Sequence, residues 1–549
     1  MSSSSDDCVC DYYCEVGVRE HLSPAEGSNS GAYISKSSAD KSNIALLTTL
    51  FEPTVLLRIP TEDRPGAGMK FAPEVAMFCF PHGVRLVTPD EAAVHAIPVV
   101  TSFVLTAADK SRMYGACIVW YEQLPSEVVF AFLEAAEALP PDGAPQPVVH
   151  APEAVCLLSR VPIFEALMEC CRQLFRMRIS SNGALSAEAL AALLYTPLPP
   201  MGRSVSLPLG NVSVPFSVPA ANELPHTMAG RDFLHLFQCL DVNNVIMLWA
   251  LLLSEQKVVL QSKTPHVLTM AAETCATAPP AAALRGTASE CMHATVASLR
   301  LCAILFPFTW QHVYIPILPA RLLDILQAPV PFLMGIDEEV LALAERQNLI
   351  PNEVVQVDLD QNAIMCDGDI AAKMHLPQRQ YHKLYKAVAP FCRRLNTDDG
   401  MSSEVASAFP MAPPPDDDAG AADATSLVEM SDDAVKEAIS KIKAAFLRFF
   451  VSMMADYQKV MIVPQYSAEL KLPSALDFFD LKKWISRFSL EKVEKGSKDF
   501  KVDCLRLHLH RLHLHPHHLH LTSTTTRHRS TGSRCSRRAK RSRSGSSSA

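Results

Sequence analysis

A stretch rich in proline and apolar residues, from residue 301 to 336, most constrains what this chain can fold into. It reads LCAILFPFTWQHVYIPILPARLLDILQAPVPFLMGI and contains Pro307, Pro316, Pro319, Pro329 and Pro331. An interior proline removes a backbone donor and clashes with the preceding turn, so no single helix can cross the stretch. HVYIPIL and PFLMGI have the β-branched and aromatic residues of strands, and PARLLDILQA places proline in a first helical turn, where it is tolerated. The stretch therefore predicts an α/β core.

The rest of the chain divides into segments of different composition. With 549 residues, 48% of them hydrophobic, the chain is long enough for about two to four domains. We predict, in order, a disordered N-terminus (1–42), a first α/β module (43–200), a second α/β module (201–370), a downstream segment (371–500) with an acidic linker (397–430), and a disordered tail (501–549).

The cysteines and the apolar blocks indicate a cytosolic chain without a membrane span. The 16 cysteines are scattered and no signal sequence opens the chain, so we expect reduced thiols. Cys8, Cys10 and Cys14 cluster near the start, where incidental thiols on a flexible tail are a better interpretation than a metal or acylation site. The apolar block VIMLWALLL at 245–253 is far shorter than the roughly 20 residues that cross a bilayer, so we predict a buried helix.

The charge is unevenly distributed. The net charge is -8, and the segment from Cys504 onward contains ten Lys or Arg and no acid, so residues 1–503 carry -8 minus 10, or -18. An acidic body argues against a nucleic-acid partner. The basic tail is typical of a nuclear signal, of a patch for anionic surfaces, or of a biased disordered end, and we favour the last.

Short apolar runs and two longer amphipathic segments characterise the first module. TVLLRIP, VAMFCFP, TSFVLTAAD, YGACIVWYEQL and AVCLLSRVP predict strands, several of them covered on both faces. SEVVFAFLEAAEAL and IFEALMECCRQLFRMRI have apolar residues at helical spacing and predict helices. LPPMGR, at 198–203, breaks the pattern and is the predicted boundary.

The second module alternates helices and strands. DFLHLFQCLDVNNVIMLWALLLSEQ predicts a helix pair joined at 241–244, where Asp and Asn are good caps. KVVLQS predicts a strand, HVLTMAAETCA a helix, and EVVQVDLDQNAI a strand that turns at 360–362. Further on, we predict a helix at 432–457 with Ser431 as its N-cap and an apolar stripe that belongs to a core.

The familiar catalytic motifs are missing from this sequence. It contains no GxxxxGK[ST] loop, HExxH, GxSxG or paired CxxC, so we expect no cofactor and no metal site. Asp358 and Asp360 follow a strand and are compatible with an aspartate phosphotransferase. We favour a structural role for both aspartates, because Asp is common in the turn after a strand.

The stretch at 301–336 strongly resembles the central block of DENN-domain proteins. The shared pattern is Pro-Phe-x-Trp-Gln-His, Ile-Pro-x-Leu-Pro, a Leu-Leu-Asp helix and Ala-Pro-x-Pro-Phe-x-Gly, with the final glycine one residue later here. The matching positions include Pro307, Phe308, Trp310, Gln311, His312, Pro316, Pro319, Asp324, Pro329, Pro331 and Gly335. FAPEVAMFCFPHGVRL resembles the upstream DENN segment and AAFLRFFVSMMADYQKVM the downstream one. The chain departs from the family in a longer loop at 277–294 and in the end of its downstream segment.

The resemblance implies a fold, a function and a place in the cell. The fold would be a longin-like α/β module beside a larger α/β central DENN module, followed by a mostly helical downstream segment. The function would be guanine-nucleotide exchange on a GDP-bound or nucleotide-free Rab-type small GTPase, without covalent chemistry. The protein would be cytoplasmic and peripheral on endomembranes or vesicles. An adaptor that keeps the DENN fold as a binding platform is the alternative.

The family's contact surface lies between the first two modules, which singles out four polar residues as candidate GTPase contacts. They are Asn244, Glu255, Gln311 and His312. Structural roles compete at each position: Asn244 can cap a helix, and Glu255 can end one and pair with Lys257. Trp310 and the proline positions are expected to be packing residues.

Overall fold

The computed structural model describes the greater part of residues 8–454. The described residues are 8–18, 22–24, 46–63, 70–106, 112–139, 147–161, 163–180, 186–200, 203–217, 233–275, 304–305, 310, 312–367, 370, 376–393 and 431–454. The predicted inserted loop at 277–294, the acidic linker at 397–430 and the tail at 501–549 lie outside them, as do most of the downstream segment's last residues.

The described residues form two five-stranded sheets and two small two-stranded ones. The first, which we call the upstream sheet, has the order β3-β1-β7-β6-β5 and all its neighbours are antiparallel. Its strands are β1 Tyr12–Gly17, β3 Thr54–Ile59, β5 Val99–Thr106, β6 Arg112–Gln123 and β7 His150–Ser159. The small sheets pair β2 Leu50–Phe51 with β4 Val84–Arg85, and β8 Ser204–Leu209 with β9 Val212–Ser217.

The position of β1 overturns the prediction of disorder for residues 8–18, whereas most of the remaining predicted N-terminus (1–42) lies outside the described residues. The strand lies between β3 and β7, and five of its six residues are buried. Asp11, just before it, is buried and binds the Arg160 guanidinium, with 2.9 Å between Nε and Oδ1. The flexible-tail interpretation of Cys10 and Cys14 is also wrong, because both side chains are fully buried. A strand covered on both faces has no alternating pattern, so the sequence showed no period to detect.

The helices cover both sheets. They are Val75–Cys79, Pro89–Val94, Ser126–Ala135, Phe164–Ser180, Ala187–Tyr195, His235–Cys239, Val242–Leu253, Pro265–Cys275, Glu338–Arg346, Gln378–Val388 and Asp432–Met454, with 3-10 helices at Ala320–Gln327 and Ala389–Phe391. The run VAMFCFP was predicted as a strand and is the helix Val75–Cys79. A short apolar run fits a buried strand or a buried helix equally well, and its packing decides between them.

The second sheet, which we call the central sheet, has the order β11-β12-β10-β13-β14. Its strands are β10 Val258–Ser262, β11 Val313–Ile315, β12 Phe332–Asp337, β13 Val355–Asp358 and β14 Ala363–Met365. The first four in the order are parallel and β14 turns back antiparallel. The predicted strand, helix and strand of the proline-rich stretch are confirmed, with the helix being a 3-10 helix that is kinked at Leu322.

Gly335 of β12 accounts for the glycine in the motif. A Cβ at this position would lie 1.9 Å from the carbonyl oxygen of Pro316. The Leu318 amide donates to the Gly335 carbonyl at 2.8 Å, so the two segments touch through their backbones. Only glycine allows this approach.

The apolar helix Val242–Leu253 joins the central sheet to the downstream segment. Trp249 is fully buried and contacts the rings of Phe446, Phe449 and Phe450, at centroid distances of 5.3, 4.8 and 5.3 Å. These phenylalanines lie on the helix Asp432–Met454, whose N-terminus is capped by Ser431 through a bond from the Ala434 amide at 3.4 Å. The predicted cap and the predicted core stripe are confirmed for the described part of this helix.

Candidate functional site

The two sheets meet edge to edge. β5 and β11 are edge strands, and the Thr106 hydroxyl of β5 donates to the carbonyl oxygen of Tyr314 in β11 at 3.0 Å. The Thr269 hydroxyl, on the helix Pro265–Cys275, donates to the Ser102 carbonyl of β5 at 2.5 Å. We call this contact region the junction. In each of these bonds a threonine hydroxyl satisfies one backbone carbonyl of an edge strand.

A buried charged cluster lies in the junction. The Arg112 guanidinium of β6 stacks on the Tyr314 ring, 4.2 Å from its centroid, and the Tyr314 hydroxyl donates to Glu273 at 2.5 Å. All three residues are more than nine-tenths buried. Burial, and then the Glu273 charge, raise the pKa of the Tyr314 hydroxyl well above its ordinary value, so it stays a donor. The cluster therefore ties strands of both sheets to one central helix.

The proline-rich stretch also enters the upstream module. Ile317 is buried in the hydrophobic core on the upstream sheet, among residues that come from the first module. The Ala320 amide donates to the Pro81 carbonyl at 3.0 Å, and His82 Nε2 lies 3.5 Å from Asp337 Oδ1. Burial, opposed by the Glu339 amide and by His82, raises the pKa of Asp337. The stretch therefore contributes Ile317 to the upstream core, while most of its other buried side chains pack in a core of the central module.

Two of the four candidate residues come together beside the junction. Glu255 Oε1 lies 3.1 Å from His312 Nε2, and their side chains are 11% and 25% exposed. His312 stands two residues before Tyr314, the residue that contacts the upstream sheet. The pair therefore lies close to the region that the family resemblance singled out, and it is the part of the predicted site that the structure assembles.

Glu255 ends a helix in an unusual way. Its amide bonds to the Leu252 carbonyl at 3.1 Å and the Gln256 amide to the Leu251 carbonyl at 3.1 Å, the two bonds of a Schellman motif. Glu255 has a φ of 54°, the left-handed conformation in which glycine is usual. The predicted partner Lys257 binds Glu353 instead. Because glutamate replaces the usual glycine at this left-handed position, its carboxylate lies within contact distance of His312.

Trp310 supports His312 from the interior. Trp310 is 1% exposed, its indole donates to the Val313 carbonyl at 3.0 Å, and its ring lies edge-on to His312 with 5.3 Å between centroids. Its predicted packing role agrees with this burial. Gln311, Pro307 and Phe308 lie outside the described residues. Of the other motif positions, Pro316 and Pro319 are buried, Asp324 and Pro329 are exposed, and Pro331 is intermediate.

Asn244 lies elsewhere, in a buried network of hydrogen bonds. Its Nδ2 lies 2.7 Å from the Asn362 carbonyl, 3.0 Å from Asn362 Oδ1 and 3.1 Å from Asp241 Oδ2. Asp241 caps the helix Val242–Leu253 by accepting from the Asn243 and Asn244 amides. Asn244 is 4% exposed. This hydrogen-bond network joins the start of the helix to the β13–β14 turn. The structure therefore supports a structural role for Asn244 rather than a surface contact.

The two aspartates of the phosphotransferase hypothesis are occupied by structural bonds. Asp358 Oδ1 accepts from the Asp360 and Gln361 amides at 3.0 and 2.9 Å. Asp360 accepts from the Ser262 hydroxyl at 2.9 Å and from the Lys263 amide at 2.8 Å. These bonds close the turn after β13 and link it to β10. The aspartates therefore shape a turn, and the phosphotransferase hypothesis loses its support.

Comparison with known families decides what this arrangement belongs to. The family model described as the DENN (AEX-3) domain matches residues 150–278 and 287–362, and the uDENN domain model matches residues 53–120. This chain is a DENN-domain protein. The DENN-domain match spans β7 of the upstream sheet as well as β10 to β13 of the central sheet, so the boundary in sequence does not coincide with the boundary between sheets.

Curated relatives give the same family. The DENN-domain protein is 30% identical over 317 residues to DENN domain-containing protein 2C of Homo sapiens, covering 56% of this chain and 28% of the relative. It is 26% identical over 347 residues to the DENN domain and WD repeat-containing protein SCD1 of Arabidopsis thaliana, covering 62% and 25%. For DENN domain-containing protein 1A of Mus musculus the identity is 28% over 317 residues, covering 58% and 24%. The chain thus spans about a quarter of the length of these relatives.

Sequence reasoning missed the residues that build the junction. Arg112 starts a strand and Glu273 lies inside an apolar helix, and neither position matches a motif. The isolation of Glu273 in an apolar run was the available signal, because a charged residue there needs a buried partner, whereas Arg112 follows polar residues in the sequence and gave no such signal. Among the helices of the described residues, none is long and apolar enough to cross a membrane.

Proposed function

We propose that this DENN-domain protein is a guanine-nucleotide exchange factor for a Rab-type small GTPase. The observation that carries the proposal is the junction: regions matched by the uDENN and DENN families meet there, and the Glu255–His312 pair lies beside it. A surface formed by both modules can contact the GTPase at two places and so hold it in one conformation.

The proposed mechanism is thermodynamic coupling. A factor that binds the empty GTPase more tightly than the GDP-bound form weakens GDP binding by the same ratio. It does so by holding the GTPase switch segments in a conformation that no longer supports Mg²⁺ and phosphate. The protein needs no reacting group for this, and we therefore propose a regulator rather than an enzyme with covalent chemistry.

Within this proposal, Glu255 and His312 are the contact residues that we assign, with Gln311 as their neighbour in sequence. The partly exposed pair offers a carboxylate and an imidazole whose geometry Trp310 and the Schellman motif fix in advance. Preorganised side chains lose less entropy on binding. Asn244 is too deeply buried for direct contact.

The finer features of the family belong to the same proposal. We interpret the antiparallel upstream sheet with its covering helices as the longin-like module, and the helices Gln378–Val388 and Asp432–Met454 as part of a mostly helical downstream segment. The site of action would be the cytoplasmic surface of endomembranes or vesicles, reached peripherally, since Rab-type GTPases act there.

Release of a fluorescent GDP analogue from a panel of Rab proteins tests the proposal. The full chain is required, because β1 belongs to the upstream sheet. We expect at least one Rab to release nucleotide about tenfold faster or more, with tighter binding to the nucleotide-free form. Folded protein that accelerates no member of the panel would overturn exchange activity, and preference for the GTP-bound form would identify an adaptor instead.

A further inference from the structure

A row of thiols crosses the upstream sheet on one face. Cys156 of β7 is the direct cross-strand neighbour of Cys14 in β1 and of Cys117 in β6. Direct neighbours project to the same face with Cβ atoms about 4.5–5.5 Å apart. The Thr101 hydroxyl, on β5, lies 3.0 Å from the Cys117 sulfur and continues the row. The three cysteines are fully buried and free.

A fourth thiol lies over this row. Cys79 is the last residue of the helix Val75–Cys79, and its side chain is buried in the same hydrophobic cluster as Cys14, Cys117 and Cys156. In the described residues, no group of three or more possible ligands has the geometry of a metal site. Neighbouring thiols can form a disulfide when two of the sulfurs approach to about 2.05 Å.

The environment of Cys79 makes it the nucleophile of the cluster. Burial raises the pKa of its thiol, but hydrogen bonds from Cys117 and Cys156 outweigh burial and lower the pKa to about 5. The pKa values of the Cys117 and Cys156 thiols are raised well above the ordinary value. Because the thiolate is the reactive form, Cys79 is the first of the cluster to react.

The helix that carries Cys79 is short. It has five residues and no side-chain bond caps its N-terminus at Glu74. Helices this short depend on packing for their stability, and local opening costs less free energy than global unfolding. Cys79 is 4% exposed, whereas the row beneath it is fully buried. An oxidant therefore reaches Cys79 before it reaches the sheet.

We propose that this cluster is a redox modification site, in which a hydroperoxide converts Cys79 and one of Cys117 or Cys156 into a disulfide. The Cys79 thiolate attacks the peroxide oxygen, the O–O bond breaks, and a sulfenic acid and a hydroxide form, the latter taking the thiol proton to give water. The neighbouring thiol then attacks the Cys79 sulfur and the S–O bond breaks, releasing a second water. Two thiols and one hydrogen peroxide give one disulfide and two waters.

The disulfide acts on contacts between the upstream and central modules. Formation of a disulfide holds the two sulfurs at about 2.05 Å, which pulls the helix Val75–Cys79 toward the sheet. Pro81 and His82 follow this helix closely in sequence, and they contact Ala320 and Asp337 of the central module. Oxidation thus shifts one of the inter-module contacts, and reduction restores it.

Peptide mapping of the full chain tests the proposal without any exchange assay, so its failure is separate from failure of the proposed function. Reduced protein is freed of reductant, treated with hydrogen peroxide, alkylated and digested without reduction. We expect a cross-linked pair that contains Cys79 with Cys117 or Cys156, lighter by two hydrogen atoms than the separate peptides, and reversed by dithiothreitol.

Cys275 is the matched control. It is also buried at the C-terminal end of a helix, and burial raises its pKa, but no neighbouring thiol lowers it. Cys275→Ala should leave the cross-link unchanged, and Cys79→Ala should abolish it with the circular dichroism spectrum retained. In the wild-type chain, oxidation of Cys275 ahead of Cys79, a disulfide that forms only in denaturant, or a Cys117–Cys156 bond with Cys79 free would each overturn the proposal.

Discussion

At the scale of single residues, the protein contains a natural comparison between two glutamates. Glu137 and Glu255 both have φ near +54°, at 53° and 54°, and both end a helix with the paired bonds of a Schellman motif. Glu255 pairs with His312 beside the junction, whereas Glu137 is exposed just after the helix Ser126–Ala135. The same backbone conformation therefore occurs with and without the proposed contact.

Replacing each glutamate with glycine separates backbone strain from binding. Glu137→Gly should stabilise the protein by about 0.5–1 kcal/mol, because a left-handed conformation is strained in any residue with a Cβ. Glu255→Gly gains the same relief but loses the His312 contact, so we expect little net change in the free energy of unfolding, measured in urea. In the GDP-release assay only Glu255→Gly should slow exchange, by about tenfold. Equal rates in both variants would contradict the assignment of Glu255.

At the scale of elements, Gly335 holds β12 against the segment that follows β11. Gly335→Ala places a Cβ against the Pro316 carbonyl, a backbone atom that cannot rotate away. We expect a loss of about 3 kcal/mol or more in the free energy of unfolding. Gly17→Ala is the control, because the added Cβ of this strand glycine would meet its nearest atoms at 3.4 Å, an ordinary contact. A Gly335→Ala variant as stable as Gly17→Ala in thermal unfolding would show that the two segments separate easily.

The elements also show how far sequence patterns reach. Helices such as Phe164–Ser180 and Asp432–Met454 follow from their apolar period, and the proline-rich stretch follows from where proline is tolerated. β1 and the helix Val75–Cys79 did not follow, because strands and short helices that are buried throughout carry no period. The Glu255–His312 pair was predicted as two separate residues, and its contact depends on the register of parallel strands β10 and β11 about β12.

At the scale of the whole molecule, one continuous core joins all the modules. A single cluster of buried residues includes Val104 of the upstream sheet, Leu260 of the central sheet and Phe446 of the downstream helix. A second cluster, on the other face of the upstream sheet, receives Ile317 from the central module. Independent unfolding of the two modules is therefore not expected. The predicted boundary at 198–203 marks a change of sequence pattern within one packed body.

Removing the Ile317 side chain should weaken the upstream module from a distance in sequence. Ile317→Ala creates a cavity in the upstream core and should cost about 2–5 kcal/mol. Amide hydrogen exchange followed by mass spectrometry should show faster exchange in β5 and β6. Ile336→Ala is the control, because Ile336 is equally buried in a cluster made of central-module residues. If Ile317→Ala left β5 and β6 as protected as Ile336→Ala does, the modules would be independent.

The interior place of β1 has a consequence for how the chain is made. β1 is synthesised well before its neighbour β7, which begins at His150, and Ile317 follows later still. At about 5–20 residues per second, the nascent strand waits on the order of ten seconds for β7 to be synthesised. Throughout that time its apolar side chains have no cover from their native partner. The rate of translation therefore sets how long the β1 segment of the nascent chain is exposed to aggregation.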